Sequence, residues 1–310
     1  MSHDMPRHRK GAGIMNPQDA RFPSGVDRRS FIKVATLACV APLLSGLSAC
    51  GQTTTSPNPP ASSIDGFDGT FIVGFDQDFP PYGYIGDNGQ LTGFDLDLAQ
   101  AVCEKEGWSY APKPISWDAK DALLNSGQIV CIWNGFTIEG REGGYAFTHP
   151  YMENRQVIVV RAGSNISALS QLGGKNVITQ TDSAAYNLLT GDGAQAKLGA
   201  SFAQLQTIGE YNTAFMMLEN GSVDAIAVDY PVATYNMRGR GGSFIILNEA
   251  LNSEHFGVGF ANTEAGKALA AAVEKDLQAL DADGKVKELC EKYADQGISY
   301  DLWVLPKSQA

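Results

Sequence analysis

The chain has 310 residues, 44% of them hydrophobic and 18% charged, a balance that excludes a mostly disordered chain and a polytopic membrane protein. Its 34 acidic and 23 basic side chains give a formal net charge of −11. A chain this acidic, with no basic stripe, is a poor nucleic-acid binder, so no nucleic acid is expected as partner. The length suits two domains, or one domain split into lobes.

The charge is uneven. Residues 1–49 hold seven basic and three acidic side chains, which makes a basic head on an acidic body and suggests a removable targeting segment. Arg28-Arg29-Ser30-Phe31-Ile32-Lys33 resembles the twin-arginine export pattern. The apolar run Val34 to Leu47 follows, broken by Pro42 and Gly46. It is shorter than the ~20 residues of a spanning helix; an uncleaved anchor helix is the alternative. Leu47-Ser48-Ala49-Cys50 resembles a bacterial lipobox, which implies lipidation of Cys50 and a firm hold on a membrane; an ordinary core cysteine is the other reading. Residues 51–65, rich in Thr, Ser and Pro, read as a flexible tether. The expected divisions are therefore a signal peptide over 1–49 and a lipidated tether over 50–65.

From residue 70 strand and helix signals alternate. Thr70 to Phe75 reads as a strand, Asp87-Asn88-Gly89 as a turn and Phe94 to Gly107 as a helix. Ala111 to Ile115, Ile129 to Trp133 and Val157 to Val160 read as strands, with a short helix over Asp118 to Ser126. Strands are expected at 176–179, 204–208, 224–228, 244–247 and 256–260. Helices are expected from Ser183 to Leu189, Asn212 to Glu219, Thr263 to Asp281 and Gly284 to Tyr293. Tyr230-Pro231 reads as a break after the strand that Asp229 ends. The period predicts an α/β protein with largely parallel strands, whose ligands sit at the strands' carboxyl ends.

Cys103, Cys131 and Cys290 are widely spaced and odd in number. They read as buried thiols, with one disulfide plus a free thiol as the alternative. His149 and His255 stand alone in the sequence, and no phosphate loop or metal spacing is present, so no cofactor and no metal are expected.

Four segments then occur in a telling order: Val73-Gly74-Phe75-Asp76-Gln77-Asp78-Phe79-Pro80-Pro81-Tyr82; Gly93-Phe94-Asp95-Leu96-Asp97-Leu98; Trp133-Asn134-Gly135-Phe136-Thr137-Ile138 leading to Arg141 and Phe147-Thr148-His149-Pro150-Tyr151-Met152; and Gly221 to Asp229. With Val258-Gly259-Phe260, they resemble the family-3 extracellular solute-binding proteins of polar amino-acid ABC importers. The resemblance covers about residues 66–305. It implies a two-lobed periplasmic-binding-protein type II fold, each lobe a mixed sheet flanked by helices. Residues 66–153 plus 255–310 would form one lobe and 154–254 the other, joined by two hinge strands. It also implies a free amino acid as ligand and ABC permease subunits as partners. The protein would be extracytoplasmic and lipid-anchored, and a monomer is expected.

An amino acid carries a carboxylate and an ammonium, and burying either without a partner costs several kcal/mol. Arg141 is the candidate for the carboxylate, since guanidinium offers a planar fork. Relatives generally have one more residue before this Arg, a shortening that Gly140 can absorb through positive φ. Thr137 offers a hydroxyl and N–H, and Gly135 its carbonyl to the ammonium. By resemblance Ala184 donates its N–H to the carboxylate, Gln180 reads the side chain, Asp229 takes the ammonium, and Phe79 and Trp117 sandwich the aliphatic part. Asp76 points toward the ligand's side chain, and Tyr82 belongs at the rim. The residues alone leave plainer roles open: a solvated Arg141, a simple turn at Gly135 and Thr137, a helix cap at Asp229, and core packing for the aromatics. The cargo stays open among cationic amino acids, glutamine and cystine. Two further readings are a ligand-sensing surface lipoprotein without transport and a cyclohexadienyl-dehydratase-like enzyme. The enzyme needs a general acid, and Glu139 is the unassigned acid near the motif, with no base paired to it in the sequence.

Overall fold

Short β-branched and aromatic runs alternate with amphipathic stretches, and the chain answers with two sheets and flanking helices. The structure, a computed structural model, describes residues 64–305. The signal peptide, Cys50 and nearly all of the tether lie outside the described residues.

The first sheet runs in the order Ser109–Pro114, Thr70–Phe75, Cys131–Ile132, Gly259–Ala261, Tyr145–Phe147. Its first three strands are parallel and the last two pairings antiparallel. The main path of the second sheet is Gln204–Ile208, Asn176–Gln180, Ala225–Asp229, Met152–Arg161, Phe244–Ile246, with Asn252–Phe256 also on Met152–Arg161. Its first three strands are parallel, and the long strand Met152–Arg161 runs against them. A small antiparallel meander, Asp78–Phe79, Gly83–Ile85 and Leu91–Thr92, precedes the first long helix.

Phe94–Glu106, Glu264–Ala282 and Lys285–Lys292 serve the first sheet. Thr263 caps the second of these, its Oγ1 accepting from Gly266 N at 3.1 Å. The stripe Ala270, Val273, Leu277 and Leu280 is buried, as the 3.6-residue period requires. Cys103, Cys131 and Cys290 are buried free thiols, and burial raises the pKa of all three.

Three departures from the expected elements are instructive. The strand expected at 157–160 spans Met152–Arg161; its first half, Glu153-Asn154-Arg155-Gln156, is too polar to show a strand period. The strand expected at 256–260 is two strands. Phe256 pairs with Met152 in the second sheet, and Gly259 pairs with Ile132 in the first. Gly257 lies between them, where a Cβ would meet Ile138 Cδ1 at 2.8 Å, so a side chain there would have to displace Ile138. Finally, the strand ends at Asp229 as expected, but Tyr230-Pro231 also starts a helix that was not expected, Tyr230–Met237. Proline in a first turn forfeits only an N–H that the helix leaves unpaired.

The chain passes from the first sheet to the second between Phe147 and Met152, and returns between Phe256 and Gly259. Beside these crossings Met152–Arg161 and Asn252–Phe256 lie antiparallel, with Asn154 opposite Glu254 and Gln156 opposite Asn252. Among the described residues no helix is long and apolar enough to cross a membrane.

Candidate functional site

Parallel strands deliver their carboxyl ends to one crevice. Asp76 follows Thr70–Phe75, and Gly135 lies three residues beyond Cys131–Ile132. Gln180 and Asp229 end strands of the second sheet. Eight of the nine residues named from the sequence line one cleft there: Phe79, Trp117, Gly135, Thr137, Arg141, Gln180, Ala184 and Asp229, with Ser183 added. The space left among them is about 10 Å³, enough for about one water. Admitting anything larger requires side chains or sheets to yield. Asp76 is the ninth, and it lines an adjoining cavity of about 380 Å³.

Arg141 is fixed by two carbonyls. Its Nη1 donates to Thr137 O at 3.1 Å and its Nη2 to Asp182 O at 3.3 Å. Its guanidinium lies 5.0 Å from the Phe136 ring centre. Among the described residues no carboxylate pairs with it. The tight turn before it is closed by Arg141 N donating to Ile138 O at 2.9 Å, and Gly140 there has φ +80°. Gly135 also has positive φ, and a Cβ on it would stand 3.0 Å from Phe79 Cε1, inside the cleft.

Asp229 occupies the cap position of Tyr230–Met237, but its side chain makes no cap bond. Its Oδ1 instead accepts from Asn154 Nδ2 at 2.8 Å and Gln156 Nε2 at 2.6 Å. Oδ2 has no partner among the described residues. Thr137 Oγ1 donates to Glu254 Oε1 at 2.9 Å. Ser183 caps Ala184–Leu189, its Oγ accepting from Tyr186 N at 3.1 Å. Trp117 Nε1 donates to Asp182 O at 3.2 Å, and buried Lys120 pairs with the Asp182 carboxylate. Gln180 Nε2 reaches Asp76 Oδ2 at 2.5 Å, so that contact ties the two sheets together.

Two positions differ from expectation. Tyr82 is not at the rim but fully buried, edge-on to Phe256 at 5.1 Å between ring centres; the turn closed by Tyr82 N donating to Phe79 O at 3.1 Å carries it into the core. Glu139 does have a partner: it accepts from His255 N at 2.9 Å and lies 2.7 Å from His255 Nδ1. His149 likewise meets Glu274. Among the described residues no cluster of His, Cys, Asp and Glu is arranged to hold a metal.

Several buried groups escaped the sequence. Asn154, Gln156 and Glu254 sit on strands with no apolar signal. Lys120 finds its partner 62 positions away. Asp95 had a visible signal, the Gly-Phe-Asp motif. Its carboxylate accepts from Gly135 N at 2.6 Å and Tyr151 OH at 2.8 Å, and so anchors the loop that carries Gly135 and Thr137.

Burial raises three carboxyls in and beside the cleft: Asp76 to about 6, Asp95 to about 7 and Asp229 to about 8, the last also through the Glu254 charge. An acid whose folded pKa exceeds its unfolded value binds more protons when folded, so stability falls as pH rises between the two values. The ligand-free protein is therefore expected to melt at a higher temperature at pH 5 than at pH 8. Thermal melts monitored by circular dichroism check this, and an opposite order would show that these carboxyls titrate normally.

The sequence profile of bacterial extracellular solute-binding proteins, family 3, matches residues 71–296, and the chain belongs to that family. An L-cystine-binding protein of Escherichia coli (strain K12) is 28% identical over 228 residues, which cover 73% of this chain and 82% of the relative. An ABC uptake transporter substrate-binding protein from Streptococcus pneumoniae, solved with bound histidine, superposes with a TM-score of 0.70. It is 30% identical, over 75% of this chain and 95% of that one. An ancestral amino acid-binding protein described as a precursor of cyclohexadienyl dehydratase superposes at 0.65. It is 26% identical, over 73% and 95% of the two chains. The fold is accordingly the two-sheet α/β type of these binding proteins.

Proposed function

We propose that the protein captures a free amino acid between its two sheets, closes over it about the paired strands Met152–Arg161 and Asn252–Phe256, and hands it to an ABC permease. The lobes in this reading are residues 66–153 with 255–310, and 154–254. The observation that carries it is the charge layout of one cleft: among the described residues, the Arg141 guanidinium has no carboxylate partner and the Asp229 carboxylate has one oxygen without a partner. These are the partners that an α-carboxylate and an α-ammonium require on burial. Gly135, Thr137 and Ala184 supply the neighbouring polar contacts, and Phe79 and Trp117 the apolar walls.

We read the cargo as an amino acid with a cationic side chain. The adjoining cavity is lined by Asp76, Asp78, Asp118 and Glu210, with no Lys or Arg among its lining residues. A side-chain ammonium or guanidinium is attracted there, and Trp117 adds a face for it. The far carboxylate of cystine would meet four like charges instead. We read the protein as a carrier, not an enzyme: the similar proteins are described as binding proteins, and Glu139 is engaged by His255 outside the cleft.

A thermal-shift screen of the purified protein tests this. Arginine, lysine, ornithine and histidine are expected to stabilise it, by ~2.7 kcal/mol at 100 times the dissociation constant, and cystine and glutamate are not. Stabilisation by cystine alone would overturn the cationic assignment. Turnover of a prephenate-like compound would favour the dehydratase reading. Tethering through Cys50 predicts that cells fed a labelled fatty acid transfer label to the wild-type protein and not to Cys50→Ser; equal labelling would place the lipid elsewhere.

A further inference from the structure

The ammonium-binding end of the cleft contains a second buried carboxylate. Glu254 is 1% exposed and Asp229 4%. Asn154 Nδ2 and Gln156 Nε2 each bridge the same two oxygens, Asp229 Oδ1 at 2.8 and 2.6 Å and Glu254 Oε1 at 2.7 and 2.8 Å. Glu254 Oε1 also accepts from Thr137 Oγ1, and its Oε2 accepts from Asn252 Nδ2 at 3.0 Å. The carbonyl oxygens of both bridging amides are buried and without a hydrogen-bond partner. Both NH₂ groups are therefore turned toward the carboxylates, at the cost of two unsatisfied acceptors.

Among the described residues no cation pairs with either carboxylate. Arg155 lies over the Tyr230 ring, Arg141 is bonded to Thr137 O and Asp182 O, and the His255 ring faces Glu139. Asp95 is held by Gly135 and Tyr151, and the remaining titratable neighbours, Tyr82 and Tyr211, are neutral phenols raised by burial.

We propose that Glu254 is the positioning residue of this end of the cleft, and that with Asp229 it forms a carboxylate pair holding one proton, which an arriving α-ammonium displaces. This assignment rests on the amino-acid reading of the site. The proton leaves Asp229 for solvent, and an N–H of the ammonium takes its place as donor to Asp229. Charge is conserved: one cation enters and one proton departs. Glu254 does not touch the ligand. It acts by fixing Thr137 and the two amides, and by making the second negative charge costly to hold alone. The raised pKa of Asp229, about 8, agrees with this geometry.

Isothermal titration of the full-length protein with L-arginine between pH 6.5 and 8, in buffers of differing ionisation heat, is the test. In this window Asp76 is already largely ionised, and the comparison with Glu254→Gln, which leaves Asp95 and its partners in place, separates the contribution of Asp95, raised to about 7. Wild type is expected to bind about tenfold more tightly at pH 8 than at pH 6.5 and to release close to one proton at the lower pH, falling to about half a proton at the higher. Glu254→Gln keeps the shape and removes the charge, so the pH slope and the released proton are expected to shrink, leaving the part that burial alone imposes on Asp229. Glu254→Asp should retain both, and Glu254→Ala should bind more than tenfold more weakly at every pH. Circular dichroism establishes that each variant is folded. A flat wild-type profile, or an unchanged slope in a folded Glu254→Gln, would overturn the assignment while leaving the amino-acid reading standing. No arginine binding by wild type at any pH would overturn the cationic reading and this assignment with it.

Discussion

Replacing Arg141 by alanine is expected to weaken amino-acid binding by about 2–5 kcal/mol, because the ligand's carboxylate would be buried without its countercharge. That is a loss of affinity of about 25-fold or more, since 1.4 kcal/mol is tenfold. The fold should survive. The turn that carries Arg141 is closed by backbone bonds, Arg141 N to Ile138 O and Gly144 N to Arg141 O, both at 2.9 Å. The side chain itself contributes two bonds to carbonyls and a contact with Phe136, worth about 1 kcal/mol or less in a half-exposed position. Arg141→Lys keeps the charge but loses the fork, so it should recover only part of the affinity. Titration calorimetry alongside thermal melts separates the two effects. An Arg141→Ala protein that binds as tightly as wild type would show that the carboxylate is held elsewhere.

Asp229→Ala is expected to cost binding by a similar ~2–5 kcal/mol, with a different signature in stability. Arg141 gives up stabilising contacts, whereas Asp229 is one of two buried acids that repel each other, its pKa raised first by burial and then by the Glu254 charge. Removing it relieves that repulsion. Asp229→Asn, which preserves the shape, should therefore melt no lower than wild type at pH 8 while still binding poorly. Such a combination marks a group kept for function at the expense of stability. A variant that binds poorly and also melts well below wild type at pH 8 would mean that Asp229 is chiefly structural.

The parts of this protein that the sequence made legible are those in which local pattern coincides with burial. The stripe at Ala270, Val273, Leu277 and Leu280 and the apolar run Ala225 to Val228 are buried against neighbours, and their periods announce helix and strand. The cleft residues were legible another way, as ordered short motifs, and the structure gathers Phe79, Trp117, Gly135, Thr137, Arg141, Gln180, Ala184 and Asp229 around one space. What stayed hidden depends on register between distant segments. Asn154 faces Glu254 because Met152–Arg161 and Asn252–Phe256 pair across a hundred residues, and nothing in Glu153-Asn154-Arg155-Gln156 distinguishes a buried polar strand from a solvated loop. Lys120 appears to the sequence as a surface charge on a short helix. Only the approach of Asp182 from the other sheet permits its burial. Pro231 marked the end of the strand but not the helix it begins, because the effect of a proline depends on whether it stands in the first turn or inside a helix.

The two charged partners of the cleft belong to different sheets. Arg141 lies on a loop of the first, and Asp229 ends a strand of the second. If Arg141 and Asp229 hold a ligand as proposed, a molecule with only a carboxylate, or only an amine, would satisfy one side and leave the other bare. The cleft would then work as a coincidence detector, in which neither charge alone is a sufficient input. Amines and simple organic acids in the surroundings would be poor triggers of closure even at high concentration.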